Sequence, residues 1–494
     1  MFYKSTRSNE TAKATAAEVI KQGLANDGGL FVPESLPTLT MEEIQELCKE
    51  SYPVRAAKVL SKFLTDYTYE ELLSDCREAY AETSFVGGAA PLVNIHGQFH
   101  SLELWHGPTA AFKDMALQIM PRLLSRALVK TGEERTALIL VATSGDTGKA
   151  ALEGYKDVDR VKIMVFYPVD GVSHVQKLQM ATQTGSNVNV CAIRGNFDDA
   201  QSGVKVIFGD EKMADALNQK GYFFSSANSI NWGRLAPQIV YYVSAYCDLL
   251  NQGTCKPGDS FNVCVPTGNF GNIFAAYLAK RMGLPINHMV CASNTNNILT
   301  DFLRTGTYDR NRDFYLTMSP SMDILISSNL ERLLYFTAGS EKTAAYMESL
   351  KKDGVYSVDA ETLAEIQKNF SGYFTDEAMT SATIREIYQN YGYLADTHTA
   401  VAIHAAEEYV KDTKDTRPMV IDSTASPYKF ANNVYRAVTD KDPTTDLAAL
   451  DELSAATKTE IPYPLAGLAD RKVNFEAVVD KTEMAKAVLD YIEA

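Results

Sequence analysis

What the chain lacks narrows its possible roles before any motif is read. It has no basic surplus: Lys and Arg number 47 against 62 Asp and Glu, a formal charge of -15. A nucleic-acid binder needs a cationic stripe that releases phosphate counterions, so this balance sets that class aside. No stretch approaches the roughly 18 to 20 consecutive apolar residues that span a bilayer. The opening MFYKSTRSNETAKATAAEVI also lacks the apolar segment of a signal peptide, which points to a cytoplasmic protein. Cysteine is sparse and unpatterned: the seven residues (Cys48, Cys76, Cys191, Cys247, Cys255, Cys264, Cys291) are odd in number and never fall as CxxC. Neither a disulfide framework nor a zinc site is expected. His96 and His100 are four apart but flank the turn at Gly97, so they offer no metal pair either. Internal repeats and low-complexity tracts are absent.

What is present describes a globular protein. A chain of 494 residues is too long for one ordinary core and predicts roughly two to four domains. Hydrophobic residues make up 46%, charged residues 22%, and the mean hydropathy is -0.17, enough to bury a large core and still cover the surface. The first 92 residues read as a helical domain, with MEEIQELCKE and TYEELLSDCREAYAETSF carrying apolar residues at helical spacing behind acidic first turns. Short apolar runs then alternate with turns and helices: TALILVA (136–142), VKIMVFYP (161–168), NVNVCAI (187–193), FNVCVP (261–266) and PMVID (418–422). Strand, turn and helix in repetition predict an α/β fold with mostly parallel sheets. Residues 93–235 form one expected lobe and 236–494 a second, with a helical insertion at about 327–395. Ligands in such folds sit beyond the strand C-termini.

Three turns carry the chemistry. TGNFGN (267–272) lies between a buried strand and a helix, where glycines let backbone N–H groups converge on an anion and the helix adds its partial positive charge. It is neither a Walker loop nor a GxGxxG fingerprint, and a plain strand-to-helix turn is the other reading. ATSGDTGKAA (142–151) is a second such loop, in which Gly145 and Gly148 offer backbone donors and Ser144, Asp146 and Thr147 short side chains. It suits a small carboxylate or phosphate, or again a structural turn. In LWHGPTAAFKDMALQIMPRLL (104–124), Lys113 stands among small and apolar residues at the start of a helix. Burial there depresses an amine's pKa and makes it able to condense with an aldehyde; a surface lysine is the bland reading.

HGPTAAFKD, TSGDTG, TGNFGN and DSTASPYKF, in this order and at these separations, resemble the fold-type-II pyridoxal-phosphate enzymes, and among them the threonine synthase family of the longer bacterial and fungal type. YKSTR, GLANDGGLFVPESLP, SSANSINWGRLAPQIVYY, SPSMDILISSNLERLL and DTHTAV extend the resemblance over nearly the whole chain. It implies two α/β lobes with the site between them and Lys113 as the Schiff-base lysine of pyridoxal 5'-phosphate. Gly268, Asn269, Phe270, Gly271 and Asn272 would hold the cofactor phosphate, Thr424 would meet the pyridine nitrogen, and Asp146 would lie near the 3'-oxygen. Ser144, Gly145, Asp146 and Thr147 would receive the substrate carboxylate, and Asn228, Ser229, Asn231 and Arg234 its phosphate. Where many relatives read TAHPAKF this chain reads TASPYKF, a departure at Ser426 and Tyr428. The implied reaction turns O-phospho-L-homoserine and water into L-threonine and phosphate, in a monomer or homodimer with no metal, nucleic-acid or membrane partner. A phospholyase or dehydratase giving a 2-oxo acid, and a non-catalytic phosphate-binding protein, are the alternatives.

Overall fold

Strands that read as continuous apolar runs need cover on both faces, and the chain provides it by building two sheets. The computed structural model describes residues 1–11, 13–143, 145–170 and 172–493. The smaller sheet runs Val478–Asp480, Val188–Arg194, Val161–Pro168, Thr136–Ala142, Tyr222–Ser225, every pair parallel. The larger runs Phe370–Phe374, Ile286–Ser293, Phe261–Pro266, Met419–Ser423, Phe99–Glu103, Leu92–His96. All its pairs are parallel except the edge hairpin Leu92–His96 with Phe99–Glu103. Phe261–Pro266 and Met419–Ser423 are buried along their whole length, as central parallel strands must be. Three of the five expected strands match in bounds, and the other two lie one residue farther on.

The two lobes draw on the chain differently from the expected division. Residues 93–103, assigned to the first lobe, belong with Leu92 to the hairpin of the larger sheet. Residues 478–493, assigned to the second lobe, add a strand and the helix Met484–Glu493 to the smaller one. The insertion at 327–395 is not purely helical, since Phe370–Phe374 pairs with Ile286–Ser293. Parallel pairing is non-local, so chain order does not say which sheet buries a given strand.

The N-terminal helices Ala16–Gln22, Met41–Leu47 and Tyr69–Ala79 each open on a capping box, Thr15 with Glu18, Thr40 with Glu43 and Thr68 with Glu71. This region also contains an antiparallel ribbon, Tyr3–Ser5 with Phe31–Pro33. Just beyond it the Thr6 hydroxyl (2.6 Å) and Arg7 Nε and Nη2 (each 2.9 Å) donate to the buried carboxylate of Glu331. That contact pins the helix Leu330–Asp353 beside the site. The 20-residue helix Trp232–Asn251 is buried on almost every side and packs against Asp114–Leu117 and Gly271–Met282, so its first turn joins the two sequence motifs that flank it.

Candidate active site

The turn around Lys113 is shaped by its neighbour. Asp114 is fully buried, and its carboxylate accepts the Thr109 backbone N–H and hydroxyl, both at 2.8 Å. Burial pushes its pKa up to about 7, against the lowering by those hydrogen bonds. Ala110 takes a left-handed φ of 58°, and the Phe112 N–H donates to the Thr424 carbonyl at 2.8 Å. Lys113 thereby sits at the head of Asp114–Leu117, its Nζ 5.3 Å from the Phe112 ring centre. The amine has no hydrogen-bond partner among the described residues. Burial lowers its pKa, as the sequence predicts; Asp146 raises it, while Arg234 and Lys429 lower it. The same contact brings Thr424, 5% exposed, next to the lysine turn, with its hydroxyl unpaired among the described residues.

TGNFGN joins the strand Phe261–Pro266 to the helix Gly271–Met282. Phe270 adopts φ 64°, a left-handed conformation costly for a bulky residue and suited to an anion nest. Its ring is buried and packs 5.7 Å from that of Phe370. The backbone N–H groups of Gly268, Asn269, Phe270, Gly271 and Asn272 meet no acceptor among the described residues, whereas the loop carbonyls are engaged. Ser327 Oγ donates to the Gly268 carbonyl at 2.6 Å, and the Asn329 backbone and side-chain N–H groups donate to the Asn269 carbonyl at 3.0 and 3.1 Å. Five free donors at a helix N-terminus, beside an unpaired, half-buried amine and a hydroxyl, fit pyridoxal phosphate. The Asn272 side chain is turned inward: Nδ2 donates to the Pro266 carbonyl (3.3 Å) and Oδ1 accepts the Ile273 N–H (3.0 Å), leaving its backbone N–H for the phosphate.

Gly268 has no room to change. A Cβ there would lie 2.5 Å from the Ser321 carbonyl oxygen. That carbonyl is backed by His398, whose Nε2 accepts the Ser321 N–H (3.1 Å) while Nδ1 donates to the buried Asp396 (2.8 Å). Gly268→Ala is expected to shift the loop at a cost of about 1–3 kcal/mol, weakening cofactor binding by about 5- to 150-fold. A titration of apoprotein with pyridoxal phosphate measures this, and unchanged affinity would remove the loop from the cofactor site.

The SGDTG loop is arranged otherwise than its motif suggests. Ser144 lies outside the described residues. The Gly145 and Gly148 N–H groups both donate to Thr143 Oγ1 at 3.0 Å, so they are spent within the loop rather than offered to a carboxylate. Asp146 Oδ1 accepts from Gln176 Nε2 at 2.9 Å and pairs with the buried Lys429 ammonium at 2.8 Å. Burial alone would raise the Asp146 pKa, but Lys429 and then Lys113 hold it well below the usual carboxylate range. Thr147 is half-buried.

Of the NSINWGR set, Arg234 is 5% exposed and opens the helix Trp232–Asn251. Nη1 donates to the Ala227 carbonyl at 2.5 Å; among the described residues Nε has no partner and no carboxylate faces the guanidinium, so burial lowers its pKa to about 10. Asn231 adds to the sequence reading: its Oδ1 caps the helix through the Gly233 N–H (2.8 Å) and its Nδ2 donates to the Ile20 carbonyl (2.9 Å). Both ends of the side chain thus serve the fold, which leaves one N–H and one lone pair for a ligand. The Asn228 side chain is exposed, and Ser229 offers its carbonyl to Asn329 Nδ2 at 3.3 Å.

Residues the motifs did not single out hold these parts together. Asn329 spans from the loop at 268–272 to Ser229, and the buried Arg332 donates to Phe31 (3.0 Å), Ile230 (2.6 Å) and Asn329. Their segment, SSNLERLL, stood in the resemblance, but no local pattern marks a bridging role. His106 is likewise held on both sides, by Glu103 Oε2 at 2.7 Å and the Val86 carbonyl at 2.9 Å.

Behind the loop, the Tyr242 hydroxyl lies 2.9 Å from the Asn272 carbonyl and 2.6 Å from buried Asp422 Oδ2. One hydroxyl proton cannot serve both acceptors, whereas a protonated Asp422 completes the chain. Burial pushes the Asp422 pKa up to about 8, against a lowering by Tyr242. A folded state that holds this proton loses stability as pH rises from the ordinary aspartate value of about 4 toward 8. Asp422→Asn is expected to gain on the wild type in melting temperature steadily over that window. A difference independent of pH would show Asp422 to be ionised throughout.

The fold and donor set define a pyridoxal-phosphate enzyme of fold type II. Residues 87–421 match the family described as Pyridoxal-phosphate dependent enzyme, flanked by Threonine synthase N terminus at 2–80 and Threonine synthase, C-terminal at 399–492. The Threonine synthase of Pseudomonas aeruginosa is 41% identical over 443 residues, covering 88% of this chain and 90% of that protein. Human Threonine synthase-like 1 is 40% identical over 434 residues, 85% of this chain and 58% of that longer protein. The crystal structure of PLP-bound Threonine synthase from Brucella melitensis superposes with a TM-score of 0.89 at 37% identity, covering 100% of both chains. The chain belongs to the threonine synthase family and is a pyridoxal-phosphate-dependent lyase of threonine synthesis. No helix among the described residues is long and apolar enough to cross a membrane.

Proposed function

We propose that the enzyme converts O-phospho-L-homoserine and water to L-threonine and phosphate in the cytoplasm, with Lys113 as the cofactor-binding and proton-moving residue. The observation that carries the substrate is Arg234: a buried guanidinium without a carboxylate, acting electrostatically on Lys113, is a site waiting for an anion. The nest at 268–272 takes one phosphate, that of the cofactor, and Arg234 takes another, that of the substrate.

Bound pyridoxal phosphate supplies the electron sink that acidifies Cα, and its ring nitrogen would face the Thr424 hydroxyl rather than a carboxylate. The leaving group is on Cγ, two carbons away, so protons have to be moved from both Cα and Cβ. The Lys113 amine accepts the Cα proton, passes it to an oxygen of the substrate phosphate, whose second pKa is near 6, and is then free to accept the Cβ proton. Arg234 steadies the phosphate as the Cγ–O bond breaks and hydrogen phosphate leaves. Lys113 delivers the Cβ proton to Cγ, water then adds its hydroxyl at Cβ, and the remaining proton of that water goes to Cα. Burial of Arg234 keeps bulk water from the phosphate in the early steps. Product analysis decides between outcomes: equal threonine and phosphate from O-phospho-L-homoserine is expected, and phosphate accompanied by 2-oxobutyrate would instead make the protein a phospholyase.

A further inference from the structure

The short 3-10 turn Pro427–Phe430 sends two side chains in opposite directions. The Tyr428 hydroxyl reaches Thr459, 2.9 Å from its carbonyl and 2.7 Å from its Oγ1, just past the helix Ala448–Thr457. Lys429 points inward with no exposed side-chain surface, and its ammonium has three oxygen partners, one an ion pair and two hydrogen bonds. These are Asp146 Oδ1 at 2.8 Å, Gln179 Oε1 at 2.8 Å and the Thr109 carbonyl at 3.2 Å. They belong to three different elements: the SGDTG turn, the helix His174–Ala181 and the turn that presents Lys113.

We infer that Lys429 is a positioning residue of the catalytic site: acting through Asp146, it fixes the carboxylate beside Lys113 and offsets its charge, so that the lysine amine can accept a proton. The inference rests on the assignment of Lys113 proposed above. With Oδ1 held by Lys429 and Gln176, Asp146 Oδ2 is left without a partner among the described residues. A lone buried carboxylate there would hold Lys113 in its protonated form, in which it cannot act as a base. Paired with Lys429 it contributes a fixed dipole. The other charges acting on Lys113 are Arg234, which disfavours its protonation, and Asp114, which favours it. Lys149 and its partner Glu153 lie behind Lys429, and that pair is neutral in sum. A neutral side chain could tie three elements together equally well. A buried ammonium, expensive to desolvate, is accounted for by the charge it offsets.

The test is the pH dependence of kcat in four holoenzymes: wild type, Lys429→Met, Asp146→Asn and the double variant. Activity rises with pH as the Lys113 amine loses its proton. Removing a neighbouring cation moves that acid limb up, by about one pH unit, and lowers kcat near neutrality about 10-fold. Asp146→Asn moves it down, and the charge-balanced double variant returns it to within about 0.3 unit of wild type. Lys429→Arg keeps the limb in place. Should Lys429→Met fail to fold, Asp146→Asn and the double variant still decide, because a limb that stays put in one and fails to return in the other overturns the inference. A strut without an electrostatic role would lower stability and leave every limb where it was. If the wild type makes threonine but Lys429→Met shares its profile, only this inference fails. A wild type that forms oxo acid overturns the proposed function instead.

Discussion

Lys113→Ala, purified and supplied with pyridoxal phosphate, is expected to show no visible absorption band of a lysine-bound cofactor and to lose at least ~10³-fold in threonine formation. The loss has two sources, because the same amine anchors the cofactor and moves the protons. The variant should fold. Lys113 has no hydrogen-bond partner among the described residues, so its removal orphans no acceptor. Asp146, the carboxylate that acts most strongly on it, keeps its own partner in Lys429. The expected change in melting temperature is accordingly small, and the cofactor phosphate should still be held by the free N–H groups of 268–272. A variant that keeps the wild-type band would mean that another lysine carries the cofactor. The buried candidates are Lys149 and Lys429, both already engaged in ion pairs. Added methylamine restoring part of the rate would show that the defect is the missing amine and not a collapsed site.

The parts of this site that could be read from the sequence are those whose chemistry is local. A glycine loop between an apolar strand and a helix is an anion nest because of backbone geometry that the residues themselves dictate, and TGNFGN has that geometry. Lys113 was legible because small and apolar neighbours forecast its desolvation. Where a side chain can serve the backbone as well as a ligand, motif position does not show the backbone role. Asn231 precedes Trp232 at a helix start, and asparagine is a preferred N-cap; that signal was present and forecast the cap. Gly145 and Gly148 supply donors, yet Thr143, two residues before the first, takes both. Asn329, Arg332 and Lys429 act across distances of about 100 residues or more along the chain. No spacing rule reaches that far. The same non-locality put the hairpin at 92–103 and the strand Val478–Asp480 into sheets other than those expected.

Arg234→Met is the variant in which activity and stability should move in opposite directions. The guanidinium is buried, its Nε is unsatisfied, and its pKa is lowered to about 10 by burial. In the free protein it is a cost without a matching anion. A methionine of similar volume removes a buried, uncompensated charge, a change that is often neutral or stabilising. With substrate the balance reverses. Truncating one partner of a buried charge pair costs about 2–5 kcal/mol, so kcat/KM for O-phospho-L-homoserine should fall by ~30- to 5000-fold, and inhibition by inorganic phosphate should weaken in parallel. Arg234→Lys keeps the charge but not the fork and should recover only part of the loss. The cofactor band should be unchanged in both, because the nest at 268–272 is a separate anion site. A rise in melting temperature together with a loss of phosphate affinity identifies Arg234 as a group kept in the core for its ligand. An unchanged KM in a folded Arg234→Met enzyme would assign the substrate phosphate to another cation, and the buried Arg332, already bound to three carbonyl oxygens, is poorly placed to be that cation.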